Sequence, residues 1–281
     1  MARIKILITV TTYPLPSTSY DELVCTAGIK EDGEWIRIYP IPFRTLTLVG
    51  SNRFRKYHWI ELDLQRKHKD FRPESYSPKN VDLSDLKILG NIGTDNGTWR
   101  RRKKYCLNNV YTSMSLLISD SKAPQNLSLA TFKPTEVLDF IVENDKREWK
   151  KNWIEQRKQL DLFIHNEEDR QAALQIIDKI PYKFKYVFKD DEGKIRKLMI
   201  EDWEVGQLYR NCLKSCNGNE SEAIKKVKQK YKDNFINNKE LYFFLGTTKQ
   251  WHQRRANNPF VIIGVFYPKK ETGQLSLFDK F

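Results

Sequence analysis

Two tight turns constrain what this chain can fold into. The β-prone runs Leu23-Val24-Cys25-Thr26-Ala27-Gly28-Ile29 and Trp35-Ile36-Arg37-Ile38-Tyr39 flank Asp32-Gly33, a dipeptide that tolerates positive φ. Tyr182–Phe188 and Ile195–Ile200 repeat the arrangement around Asp190-Asp191-Glu192-Gly193. Strands joined this closely are antiparallel, because a parallel pair needs a crossover of a dozen or more residues. The spacing argues against a doubly wound parallel sheet. It predicts an α+β fold of mostly antiparallel sheets with helical insertions.

Residues 3–13 read as a first strand, and Trp59–Leu64 as another. Its alternation puts Ile60, Leu62 and Leu64 on one face, with Glu61 and Asp63 on the other. Arg72–Pro78 reads as a loop, since each Pro biases its predecessor away from helix. Helical periodicity begins near Trp99 and again after Tyr111, and strands at 127–133 and 136–142 follow. Asp202 stands where a helix N-cap belongs. Glu220–Ile236 reads as a helix whose lysines face solvent, with Ile224, Val227 and Tyr231 as its buried stripe. Strands at 241–247 and 260–267 close the body. The expected organisation is a β-rich half over 1–144, a charged helical connector over 145–180, an α+β half over 181–268 and a tail over 269–281.

Charge narrows the class of partner. The 281 residues include 49 Lys+Arg and 36 Asp+Glu, a formal net charge of +13. With 12% aromatic residues this is no disordered basic tail, and the surplus favours a polyanion. No uncharged apolar stretch reaches about 18 residues, so the expected partner is DNA and not a membrane. The first apolar run meets Thr11-Thr12-Tyr13-Pro14, where a secretory segment would continue, and four cysteines are too few for a disulfide framework. A cytoplasmic location is expected.

The most specific motif is Gln274-Leu275-Ser276-Leu277-Phe278. It resembles the short peptide by which bacterial DNA polymerases, mismatch-repair proteins and other replication factors dock on the sliding clamp. The resemblance implies that Leu275, Leu277 and Phe278 carry the apolar contacts, with Leu277-Phe278 the anchor in a hydrophobic pocket. Gln274 would hydrogen-bond at a smaller subsite. Burying two such side chains contributes on the order of 2–3 kcal/mol each, enough for micromolar affinity after ordering costs. The alternative for this tail is that it packs back onto the body. A second match, Gln159-Leu160-Asp161-Leu162-Phe163, lies in the expected helical connector, where an ordinary buried helix face accounts for Leu160 and Phe163.

Basic and aromatic residues suggest where nucleic acid would lie. Arg100, Arg101, Arg102 and Lys103 follow Trp99, but consecutive helical residues point in all directions, so only two or three can meet phosphates. Trp251, His252, Arg254 and Arg255 fall in a loop between two expected strands and suit base stacking and phosphate contact. Arg37 and Arg44, with Arg53, Arg55 and Lys56, would extend the same surface.

Catalytic signals are weaker. Glu201-Asp202-Trp203-Glu204 stands at a strand-to-helix junction, where acidic side chains suit Mg²⁺ or a general base, although helix capping explains the same residues. Asp202, Glu204, Glu22 and His252 are the candidate catalytic residues, while Arg72-Pro73-Glu74-Ser75 offers a further carboxylate. There is no Walker A loop, dinucleotide fingerprint or zinc-finger spacing. The expectation is a DNA-binding protein brought to DNA by a clamp, in genome maintenance or defence against mobile DNA. The alternatives are a nuclease or glycosylase delivered by the same tail, and an RNA-binding or RNA-modifying protein.

Overall fold

The computed structural model describes residues 2–16, 22–42, 54–80, 82–149 and 178–270. Among these residues, seven strands make the N-terminal part: β1 (Ala2–Thr11), β2 (Leu15–Pro16), β3 (Glu22–Lys30), β4 (Trp35–Pro42), β5 (His58–Arg66), β6 (Ser75–Pro78) and β7 (Lys87–Asn91). β3 and β4 form the expected hairpin, with Gly33 at φ +87° in its turn. β1 pairs with β3 on one side and β5 on the other, and β6 joins β5 to β4. The sheet therefore closes on itself in the order β1–β3–β4–β6–β5–β1. Numbered along the chain, these five strands run 1-2-3-5-4-1 with the third and fifth parallel, the strand order of oligonucleotide- and oligosaccharide-binding barrels.

This closure corrects two expectations. The N-terminal half holds a closed five-strand barrel where mostly antiparallel sheets with helical insertions were expected, and part of the expected loop Arg72–Pro78 is strand β6. β6 pairs with β4 through only Arg37–Ser75 and Ile38–Tyr76, too short a run to leave a periodic signal.

From Ile6 to Val10, β1 is buried on both faces. Ile6 and Ile8 fill the barrel with Ile36, Ile38, Ile60 and Leu62. Leu7 and Val10 point outward and pack with Phe244, Ile263 and Phe266. A register shift between Ile8 and Val10 re-aims the strand there.

The remainder contains α1 (Arg100–Cys106), β8 (Val110–Tyr111), α2 (Met114–Asp120), β9 (Leu129–Phe132), β10 (Glu136–Asn144), β11 (Tyr182–Lys189) and β12 (Ile195–Met199). Then come α3 (Trp203–Ser215), α4 (Glu220–Lys228), a π-helical turn (Gln229–Asn234), α5 (Phe235–Asn238), β13 (Tyr242–Thr247), α6 (Lys249–Gln253) and β14 (Phe260–Phe266). They build a β14–β13–β9–β8 sheet and a β10–β11–β12 sheet, mostly antiparallel. β10 pairs with β11 along nearly its whole length, so the boundary expected at residue 144 falls inside one sheet. Most of the expected connector, with Gln159–Phe163, lies outside the described residues, as do Arg44, Arg53 and the tail from residue 271. Among the described residues, no helix is long and apolar enough to cross a membrane.

Polar contacts lock the barrel to this second part. Buried Arg37 donates to Ser128 Oγ at 2.7 Å, to the Ser128 carbonyl at 3.1 Å and to the Thr247 carbonyl at 3.4 Å. Glu74 accepts from the Ser128 amide and hydroxyl at 2.9 and 2.7 Å, and Arg72 donates to the Thr247 carbonyl at 2.9 Å. Strand alternation does point Arg37 away from the barrel interior, as a surface residue would need. The second part covers that face, so Arg37 and Glu74 bracket the two parts together. Arg37→Ala would strand the Ser128 and Thr247 acceptors, and a loss of about 3 kcal/mol is expected in urea denaturation.

Candidate nucleic-acid interface

A cleft of about 520 Å³ opens beside the barrel, and seven aromatic and four basic residues line it. Its geometry begins with two strained aromatic residues. Tyr57, at the start of β5, and Trp99, preceding α1, adopt φ of +66° and +58°. Bulky residues rarely enter this left-handed region, and strain of this kind concentrates at functional sites. Their rings meet edge to face at 5.7 Å. The Arg102 guanidinium lies over Tyr57 at 3.7 Å and over Trp99 at 4.7 Å, while its Nε donates to the Ile92 carbonyl at 3.0 Å. The cage thus already holds a cation of its own.

Two other walls complete the cleft. Trp203, Gln207 and Asn211 recur every fourth residue along one face of α3. Gln207 Nε2 donates to Asn211 Oδ1 at 2.8 Å. The π-helical turn supplies exposed Lys230 and buried Tyr231. Such turns are rare and frequent at functional sites.

Lys56 borders the same cleft. Its Nζ sits 2.9 Å from both Asp202 carboxylate oxygens and 3.0 Å from Glu204 Oε2. Burial alone would lower the Lys56 ammonium, but the two carboxylates outweigh it and hold it above its ordinary value. Burial, opposed by Lys56 and assisted by Glu204, pushes the Asp202 carboxyl above the usual carboxylate range. Asp202 also accepts from the Glu204 amide at 3.1 Å and so caps α3. The pair expected to suit Mg²⁺ or proton transfer therefore caps a helix and neutralises a buried lysine. Among the described residues, no group of three or more His, Cys, Asp or Glu side chains is placed to hold a metal ion.

The other expected site residues are dispersed. Arg101 pairs with Asp95 at 2.8 Å and Lys103 with Glu240 at 3.8 Å, which leaves Arg102 as the member of the basic run that lines the cleft. Arg100, at the start of α1, is exposed. His252 is buried, its Nδ1 against Thr247 Oγ1 at 2.9 Å and its Nε2 against the Ser121 carbonyl. Both ring nitrogens are committed, so His252 is a structural residue of α6 rather than a catalytic or base-reading one. Trp251, Arg254 and Arg255 are exposed beside it, away from the cleft, with the Arg254 guanidinium 5.9 Å from the Trp251 ring. Glu22 begins β3. Sequence reasoning did not single out Gln207, Asn211 or Tyr57. The four-residue spacing from Trp203 was the available signal for the first two, and nothing in the sequence marks the φ of Tyr57.

A second cavity, of about 530 Å³, lies on the far side of Asp202, where Arg37, Tyr39, Lys67 and Glu201 contribute to its lining. Burial raises the Glu201 carboxyl to about 6.

Fold and cleft together define a two-part protein in which a closed barrel packs on a mixed sheet-and-helix body, with an aromatic, basic cleft at their junction. The chain belongs to the family described as Domain of unknown function (DUF8757), whose model matches residues 110–281; a second, Domain of unknown function (DUF8758), matches residues 2–108. The division falls where the barrel and α1 end. No curated protein matches the chain. It is similar to a solved structure of a murine DNA-binding protein bound to double-stranded DNA, with 8% identity over 98% of this chain and all of that one. The TM-score is 0.31, too loose for any residue role to be carried across.

Glu201 gives a pH signature. Its folded value of about 6 lies above the usual 4.5, so the folded state binds the extra proton between those values. Stability from this group is present below pH 4.5 and is lost as pH rises through 6. Glu201→Gln is expected to remove that slope and to raise stability at pH 7.5 by about 1 kcal/mol, read by urea denaturation at pH 5 and 7.5.

Proposed function

We propose that the protein binds DNA and is brought to it by docking its C-terminal tail on a bacterial sliding clamp, in genome maintenance or defence against mobile DNA. The observation that carries this reading is Gln274-Leu275-Ser276-Leu277-Phe278, a five-residue match to the clamp-docking peptide that follows the last strand of the fold. Among the described residues, the strands of the three sheets fall between residues 2 and 266. An apolar Leu-Phe pair on a polar segment gains most by burial in a partner.

The surplus of cations supports the DNA half of the reading, because phosphate neutralisation releases counterions whatever the sequence. The barrel supports it less directly. Its strand order is one used for oligonucleotides, but the outer face of β3 and β4 is taken by the second part of the chain. Ala27 and Ile29 join its apolar packing, and Trp35 meets Phe244 edge to face at 5.3 Å. DNA would therefore lie against the junction cleft and its exposed cations.

Deletion of residues 274–281 is expected to abolish capture of the purified clamp; undiminished capture would remove the docking reading. The DNA reading has a separate test. Affinity for a duplex should fall steeply as salt rises from 50 to 200 mM, roughly tenfold or more if three phosphates are contacted, and a flat response would contradict it.

A further inference from the structure

The geometry points to a separate small-molecule site in the cavity on the far side of Asp202. It takes an organic cation, an amine or amidine on an apolar body, with the charged head on Glu201. The site stands apart from the DNA reading and adds a ligand class which that reading does not contain.

The walls set the body of the ligand. The cavity measures about 530 Å³, within the range of small-ligand sites. β11 and β12 contribute Phe184 and Met199, α3 contributes Val205, and β14 contributes Val261 and Ile263. Such walls favour an apolar body, which leaves water on entry.

Glu201 sets the head. Both of its main-chain polar groups are held: the amide donates to the Ile262 carbonyl at 2.7 Å, and the carbonyl accepts from the Tyr13 amide at 2.9 Å. The residue is half-buried and borders the cavity. Among the described residues its carboxylate has no hydrogen-bond or ion-pair partner.

The other charged groups of the lining are already committed. Asp70 pairs with Arg72 at 2.6 Å, Asp145 with Lys179 at 2.7 Å and Lys183 at 3.2 Å, and Asp202 with Lys56 at 2.9 Å. Arg37 is engaged by Ser128 and Thr247. Lys67 lies over the Tyr39 ring at 5.0 Å, and exposed Lys249 reaches the Lys69 carbonyl at 3.3 Å. Burial alone accounts for the raised Glu201 carboxyl, so no neighbouring cation answers it.

With its value at about 6, Glu201 is ionised at neutral pH. A carboxylate in an apolar wall without a counter-ion is costly. A ligand that brings the positive charge recovers that cost, and an amidinium can give two parallel N–H bonds to its oxygens. A divalent metal ion is a poorer match, because Mg²⁺ and Ca²⁺ take several oxygen ligands and Glu201 supplies one carboxylate. An anion would meet like charge.

The test compares probes of one shape and different charge: benzamidine, benzamide and benzoate. Each is titrated into the full-length protein at pH 7.5 and followed by ligand-observed NMR. Benzamidine is expected to bind at least about tenfold tighter than benzamide, with benzoate weakest. Glu201→Gln keeps the shape of the side chain and removes its charge. It should bring the ratio of benzamidine to benzamide affinity to about one, while the variant unfolds no earlier than the parent on heating and binds duplex DNA as the parent does. Met199→Trp, which fills the cavity, should abolish binding of both probes.

Equal binding of benzamidine and benzamide overturns the assignment, as does a preference that survives Glu201→Gln. Benzamidine binding that persists in Met199→Trp places the probe elsewhere and overturns the site, and so does binding of none of the probes. Each of these failures leaves the DNA reading intact, because that reading draws on no residue of this cavity.

Discussion

The fold hangs on the middle of β1, where Ile6–Val10 are buried on both faces. β1 sends Ile6 and Ile8 into the barrel and Leu7 and Val10 into the packing against β13 and β14, and all four are fully buried. Each such side chain contributes roughly 1.5–3 kcal/mol when removed from water, so the strand stabilises two cores at once. Sharing β1 fixes how the barrel sits on the second part. The outer face of β3 and β4 is thereby closed, and an opening remains where the start of β5 meets α1, α3 and the π-helical turn. The position of the cleft is a consequence of the two-sided burial of β1.

That geometry was partly visible in advance. Both hairpins are local, with turn residues that state their own φ requirement, and Asp202 is recognisable as a cap from its position ahead of an amphipathic run. Barrel closure was not visible, because β1–β5 and β4–β6 join strands far apart in sequence with no turn between them. The same limit applies to Arg37. Alternation correctly turns it out of the barrel, but only the tertiary structure shows Ser128 and Thr247 waiting there.

Charges follow a related division. The run Arg100–Lys104 reads as one basic block, yet the helix disperses it: Arg101 goes to Asp95, Lys103 toward Glu240, and Arg102 inward onto two aromatic rings. Lys56 looked like one more surface cation and is instead held by Asp202 and Glu204. A net charge of +13 therefore overstates what any one surface presents. What remains at the cleft is a few exposed cations around a preformed aromatic cage that Arg102 already fills.

The central claim is that DNA meets the protein at this cleft. A crystal structure of the full-length protein with a short single-stranded oligonucleotide tests it most directly. The account predicts the oligonucleotide backbone at the cleft, with phosphates on the exposed Arg55 and Lys230. An oligonucleotide bound around Trp251 and Arg254, with the cleft empty, would contradict it.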